Sequence, residues 1–329
     1  MYKEKAVRRP LSIAQLGIWV AQQLAPKSPL YNTGGYLEIH GAIDPTLLET
    51  ALRWVVAATE ALHVTFVDDS EAPQQILDIS ADWSFPVIDV SAEADPRTAA
   101  EAWMQADLAR PVDLTQGPLF VYALFKATPD RFFLYQRYHH IIMDRWGVGL
   151  IGRQLAEVYS ALAIGASLTS EPFGDLASAL QQEQAYRCSE QFAADRYYWV
   201  ERFADRPEPV SLADRSATPS EHFLRQTAHL SSATLGDLRA VGRGAGTSWV
   251  QVVMAAMAVY MHRMTGVSEV ILGLPVLGRL GSAARRIPSM MSNIVPLRLA
   301  LQPDMRASDL VRQVSREVRQ VLRHQRYRG

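Results

Sequence analysis

Residues 138–147 read YHHIIMDRWG, with adjacent histidines at 139 and 140, an acid at 144 and an arginine at 145. Ahead of them, PLFVYALFKA (118–127) and RFFLYQRYHHII (131–142) are apolar, aromatic-rich runs separated by a short polar turn, the pattern of two strands paired as neighbours in a sheet. Behind them, VGLIGRQLAEVYSALA (148–163) spaces Leu150, Ile151, Leu155, Val158 and Leu162 at helical intervals. The histidine pair is therefore expected at the end of a buried strand, where the chain turns into a helix.

That placement gives the histidines a chemical reading. In a chain with eight histidines, His-His-x-x-x-Asp arises by chance on the order of once in a hundred such sequences. An imidazole takes a proton from an attacking amine or hydroxyl when a second group fixes its tautomer and orientation. His140 at a strand terminus is placed for this. Asp144 reads either as a group that holds the turn by a salt bridge or hydrogen bonds, or as a helix cap. Neither reading makes it the base. The chain has no Gly-x-Ser-x-Gly elbow, and Cys188 lies in AYRCSEQF with no cue for a reactive thiolate, so a covalent nucleophile is not expected. GRGAG (242–246) lacks the spacing of a dinucleotide-binding turn and reads as a loop before a helix.

Elsewhere, Asp44 followed by Pro45 predicts a helix start, and Leu48, Leu52, Val55 and Val56 give that helix an apolar stripe. LHVTFV (62–67) alternates like a strand, and a small, polar, proline-containing stretch at 165–174 marks a lobe boundary. Two lobes follow, 1–170 and 171–329. The second is expected to hold a long helical region to about Phe203, a strand near 223–230, an apolar helix over 249–264 stopped by Gly266, strands at 269–274 and 294–301, and a last helix from about Ala307. The fold class is α/β, an α+β sandwich in each half, with a cleft between the halves as the natural site.

Composition narrows the function. With 33 basic and 34 acidic residues there is no charge excess to attract nucleic acid or an anionic membrane, and neither is expected as a partner. The single cysteine cannot form an internal disulfide, and no Cys-x-x-Cys or His-Glu-x-x-His spacing suggests a metal. The N-terminus lacks the apolar core of a secretory signal and no run is long enough to span a bilayer, so a soluble cytoplasmic protein is expected.

The histidine motif at a strand-to-helix junction in a two-lobed chain resembles the condensation domain of nonribosomal peptide synthetases, which belongs with the chloramphenicol-acetyltransferase-like acyltransferases. LSIAQLGIW (11–19) is similar to that family's opening Ser-x-Ala-Gln…Trp motif, and EALHVTF (60–66) to its Glu-x-Leu-Arg-x-x-Phe motif except at His63. SNIVPLRL (292–299) resembles its Val-Asn-Thr-x-Pro-Leu-Arg strand, with Asn293 and Arg298 on the motif asparagine and arginine. RHQRYRG (323–329) looks like the start of a later motif, which suggests an incomplete second lobe in a fragment of a larger synthetase.

The resemblance implies two chloramphenicol-acetyltransferase-like lobes in a V with a central tunnel, entered from opposite sides by phosphopantetheine arms. It implies amide-bond formation between a donor acyl thioester and the amine of a carrier-bound aminoacyl acceptor. His140 would position or deprotonate the amine, His139 would pack inward and Asp144 would organise the turn. Arg145, Trp146, Gly147, Ser292 and Asn293 would face substrate, with His63 and Arg298 in support. No cofactor or metal would be bound by the domain itself; substrates would arrive on phosphopantetheine or coenzyme A. The partners would be donor and acceptor peptidyl carrier proteins or acyl-coenzyme A, together with neighbouring synthetase domains. A start close to Met1 permits a starter role with a fatty acyl donor. Two other readings stand beside it: a free-standing coenzyme A-dependent acyltransferase, and a non-catalytic recruitment domain of the same fold.

Two departures from the family touch the site. His63 stands where the family has an arginine paired with the motif aspartate, and Arg145 where it has glycine. Arg145 either supplies the missing charge to Asp144, narrows the tunnel, or lies on the surface. Pairing with Asp144 is the expectation carried forward, because both departures concern one charge partnership.

Overall fold

The computed structural model describes residues 7–79, 82–168, 173–208, 210–213 and 226–328. In chain order the elements are β1 (Val7–Pro10), α1 (Ile13–Leu24), β2 (Asn32–His40), α2 (Pro45–Ala57), β3 (Val64–Val67), β4 (Gln74–Leu77), β5 (Val87–Asp89), α3 (Pro96–Leu108), β6 (Phe120–Thr128), β7 (Arg131–His139) and α4 (Arg145–Ala163). They continue as α5 (Leu176–Arg187), α6 (Glu190–Arg202), α7 (Ser232–Gly244), α8 (Trp249–Thr265), β8 (Glu269–Val276), β9 (Asn293–Ala300) and α9 (Ala307–Arg323). Among the described residues these form two compact units. The first holds those up to Ala185 together with Arg279–Met291, and the second the remainder. The expected boundary at 170/171 lies outside the described residues.

In the first unit β6 and β7 pair antiparallel, with Phe120 opposite Tyr138 and Leu124 opposite Leu134. β2 runs along the other edge of β7 from Asn32 opposite His139 to His40 opposite Arg131, and β5 joins β6 in parallel, giving the order β2-β7-β6-β5. Because side chains alternate across a strand, Tyr122, Leu124, Leu134 and Tyr138 pack on one face with Leu52 and Val55 of α2 and Ile151 and Leu155 of α4. Ala123, Phe125, Phe133 and Tyr135 pack on the other with Ala100 and Met104 of α3. β7 is thus buried on both faces, which is why it reads as a continuous apolar run. β1, β4 and β3 form a separate three-stranded sheet. Asp44 caps α2 by accepting from the N–H groups of Thr46 and Leu47, with Pro45 at the first helical position.

The second unit is built on the antiparallel pair β8-β9. Val270, Val295, Leu297 and Leu299 are buried with Leu310, Val314, Val318 and Val321 of α9 and Ala258 of α8. α8 stops at Gly266, whose φ of 74° is one that glycine adopts without strain. No single helix among the described residues is long and apolar enough to cross a membrane.

Several expectations differ in detail. Leu62 and His63 belong to a one-turn 3₁₀ segment, Glu60–His63, so the strand begins only at Val64. β7 ends at His139 because the N–H of Ile142 turns back to the His139 carbonyl. Of the strand expected near 223–230, residues 223–225 lie outside the described part, and 226–230 form no strand. Gly242–Gly244 of GRGAG finish α7 rather than forming a loop; glycines at 236, 242 and 244 lower helical propensity along this segment and obscure its end.

Candidate active site at the strand-to-helix junction

The two histidines leave β7 in opposite roles. His139 is 1% exposed; its Nδ1 accepts from the N–H of Ile141, so the proton sits on Nε2 and faces Gln22 Oε1 at 3.3 Å. Gln22 of α1 is oriented in turn by donating through Nε2 to the carbonyls of Ala25, Pro26 and Ser28. Burial, with smaller contributions from His140 and Arg137, pushes the His139 imidazole down to about 3. It is a neutral packing group at working pH.

His140 is half-buried, with its backbone N–H held by the Tyr31 carbonyl at 2.7 Å. Its Nδ1 lies 2.9 Å from the Met143 carbonyl, and a carbonyl only accepts, so Nδ1 carries the proton. The Nε2 lone pair is thereby left for a substrate.

Asp144 is 2% exposed and caps α4, with Oδ1 accepting from Gly147 N at 2.9 Å. Its Oδ2 accepts from Arg279 Nη1 at 2.6 Å and from Met291 N at 3.0 Å. The Arg279 side chain is wholly buried and also donates to the carbonyls of Ile287 and Ser289. This overturns the expected pairing of Asp144 with Arg145. Arg145 is exposed and forms no ion pair among the described residues. His63 does not replace it either: it is buried, its Nε2 faces the Val56 carbonyl at 2.9 Å, and burial lowers its pKa. Arg279 carried no signal in the sequence, since it stands 135 residues from Asp144 and outside every recognised motif.

The rest of the junction fastens Arg279–Met291 to the start of α4. Trp146 donates through Nε1 to the Arg285 carbonyl at 2.9 Å. Gly147 lets that segment approach: a Cβ there would lie 3.1 Å from Ser289 N and 3.3 Å from Pro288 Cα. Ser292, Asn293 and Arg298 belong to the second unit. Asn293 Nδ2 donates to the carbonyls of Gln325 and Tyr327, and the Ser292 carbonyl accepts from Arg328 Nη2. Arg298 ties β9 to Glu269 of β8 and to Asp205 and the Arg202 carbonyl past α6. All of these contacts lie within the second unit. Among the described residues no group of three His, Cys, Asp or Glu side chains is arranged to hold a metal ion.

The condensation-domain profile matches residues 5–328, and the chain belongs to the condensation-domain family. It is 48% identical over 324 residues to a dimodular nonribosomal peptide synthase of Bacillus subtilis (strain 168), covering 98% of this chain and 14% of that protein. It is 46% identical over 322 residues to an isonitrile lipopeptide synthase of Streptomyces coeruleorubidus, covering 98% of this chain and 22% of the relative. The chain thus spans only a small part of the length of these relatives. Among solved structures, a variant of the starter condensation domain of rhizomide synthetase in complex with C8-CoA aligns with a TM-score of 0.91 at 45% identity, over 98% of this chain and 73% of that one. The first condensation domain of the calcium-dependent antibiotic synthetase in complex with a substrate analogue aligns with a TM-score of 0.93 at 38% identity, over 98% and 77%. The fold is the chloramphenicol-acetyltransferase-like α/β fold of these domains, and condensation domains are amide-bond-forming acyltransferases.

Proposed function

We propose that this chain joins a donor acyl thioester to the amine of a carrier-bound aminoacyl acceptor, with a fatty acyl group as donor in the starting step of a lipopeptide. The observation that carries the reading is the tautomer of His140, fixed by the Met143 carbonyl so that Nε2 is a free acceptor. The amine nitrogen attacks the thioester carbonyl carbon while Nε2 takes its proton. As the tetrahedral intermediate collapses, the C–S bond breaks and the thiolate recovers that proton. Asp144 is not the base: its carboxylate is committed to Arg279 and to the N–H groups of Gly147 and Met291. The donor arrives on coenzyme A or on a carrier's phosphopantetheine, and neighbouring synthetase domains are the partners. The fatty donor is supported by the C8-CoA bound to the similar starter domain and by the similarity to a lipopeptide synthase.

The test is amide formation from octanoyl-coenzyme A and an aminoacyl-pantetheine thioester, followed by mass spectrometry. His140→Ala is expected to slow it by about 10²- to 10⁴-fold with an unchanged melting temperature. A folded variant that forms the amide at the parental rate would overturn histidine catalysis.

A further inference from the structure

The proposed reaction needs a group to bear the charge that develops on the thioester oxygen, and neither histidine nor Asp144 supplies it. His139 is neutral and buried, His140 Nδ1 is spent on a backbone carbonyl, and the Asp144 carboxylate has the wrong sign. Arg145 is a cation that follows Asp144 directly in the chain. The neighbouring carboxylate is satisfied by Arg279, so Arg145 is not needed there, and its exposed side chain makes no ion pair among the described residues.

Its backbone, in contrast, is fixed. Met143 is fully buried and holds the His140 ring through its carbonyl, while Trp146 is anchored by the Arg285 carbonyl at 2.9 Å. The imidazole is thus hydrogen-bonded to a carbonyl only two residues before Arg145. Standard backbone dimensions then put the ring roughly 8 Å from the Arg145 Cα, a span that an arginine side chain of about 7 Å covers with room for a carbonyl oxygen between.

Building on the condensation reading, we propose that Arg145 is a catalytic residue that donates guanidinium hydrogen bonds to the thioester oxygen as it becomes an oxyanion. Attack of the amine forms the C–N bond and moves the carbonyl π pair onto oxygen, where the guanidinium of Arg145 stabilises the charge by donating hydrogen bonds. Collapse returns that pair, breaks the C–S bond and expels the thiolate, which is protonated from His140. Arginine keeps its charge throughout the working pH range, so this step adds no proton transfer. A cationic donor that meets the oxygen as its charge develops is worth more in the transition state than in the ground state.

The experiment compares Arg145→Lys, Arg145→Gln and Arg145→Gly with the parent chain in the amide-forming assay. Loss of a transition-state interaction lowers kcat and kcat/KM together and leaves KM in place. The Gln and Gly variants are expected to lose about 10- to 100-fold in both, at or below the cost of removing one oxyanion donor. Lys, which keeps the charge, recovers part of the loss, and melting temperatures stay within experimental error. Binding of an anionic phosphonate mimic of the tetrahedral intermediate weakens in step with kcat/KM. Faster turnover or a wider donor range in Arg145→Gly would overturn the inference and make the side chain a gate. Parental rates in all three variants, with amide formation still dependent on His140, would sink this inference alone. No amide formation by the parent chain would sink the condensation reading and this inference with it.

Discussion

Replacing Arg279 by methionine tests what holds the candidate site in shape. Methionine preserves apolar packing along the side chain but removes the guanidinium, leaving the Asp144 carboxylate buried while it still accepts from Gly147 N and Met291 N. Breaking a buried pair from one side costs about 3–5 kcal/mol. The two remaining backbone donors draw the figure towards the lower end. The lost bonds to the Ile287 and Ser289 carbonyls, about 1 kcal/mol each, push it back, for a net loss of about 4 kcal/mol. For a unit of this size, each kcal/mol moves melting by about 2–4 °C, so the first unit should melt roughly 8–16 °C lower. Scanning calorimetry measures this directly. Asp144→Asn alone should also be costly, because it strands the Arg279 cation, while the double variant should lose about 2–3 kcal/mol less than the sum of the singles. Additive losses, or a coupling of the same size between Asp144→Asn and Arg145→Gln, would refute the assignment of Arg279 as the partner.

Two further outcomes follow from burial at the same junction. The folded pKa of His139, about 3, lies below the ordinary 6.5, so its contribution to stability is complete above about pH 6.5 and is lost as pH falls towards 3, by up to about 1.4 kcal/mol per unit. His63, also shifted down by burial, acts in the same direction. His139→Gln should therefore flatten the fall in stability between pH 6.5 and 4, and chemical denaturation giving identical slopes for both proteins would contradict a neutral buried His139. Gly147→Ala should destabilise by about 1–3 kcal/mol, because its Cβ would overlap Met143 Sδ and crowd the backbone at Ser289 N, 3.1 Å away. Urea unfolding with an unchanged midpoint would show that Arg279–Met291 yields freely at this point.

Much of the architecture can be read from neighbouring residues alone. The apolar, aromatic-rich runs at 118–127 and 131–142 specify β6 and β7, which pair as the pattern implies. Asp44-Pro45 and Gly266 mark helix ends through capping and backbone preference. The histidine, N-terminal and Pro-Leu-Arg motifs place the chain in its family. β2 escaped notice because NTGGYLEIH mixes glycines with half-buried positions, and its pairing comes from β7. The site divides in the same way. Sequence identifies His139, His140 and Asp144 as a group, but two adjacent histidines are chemically identical until burial and partners separate them. Gln22 and the Ile141 N–H lock one as a neutral packing residue, and the Met143 carbonyl leaves the other with a free Nε2. The partner of Asp144 was equally hidden. Capping and periodicity act over a few residues along the chain, whereas a buried charge is satisfied by whichever cation the folded backbone delivers, here Arg279 from 135 positions away.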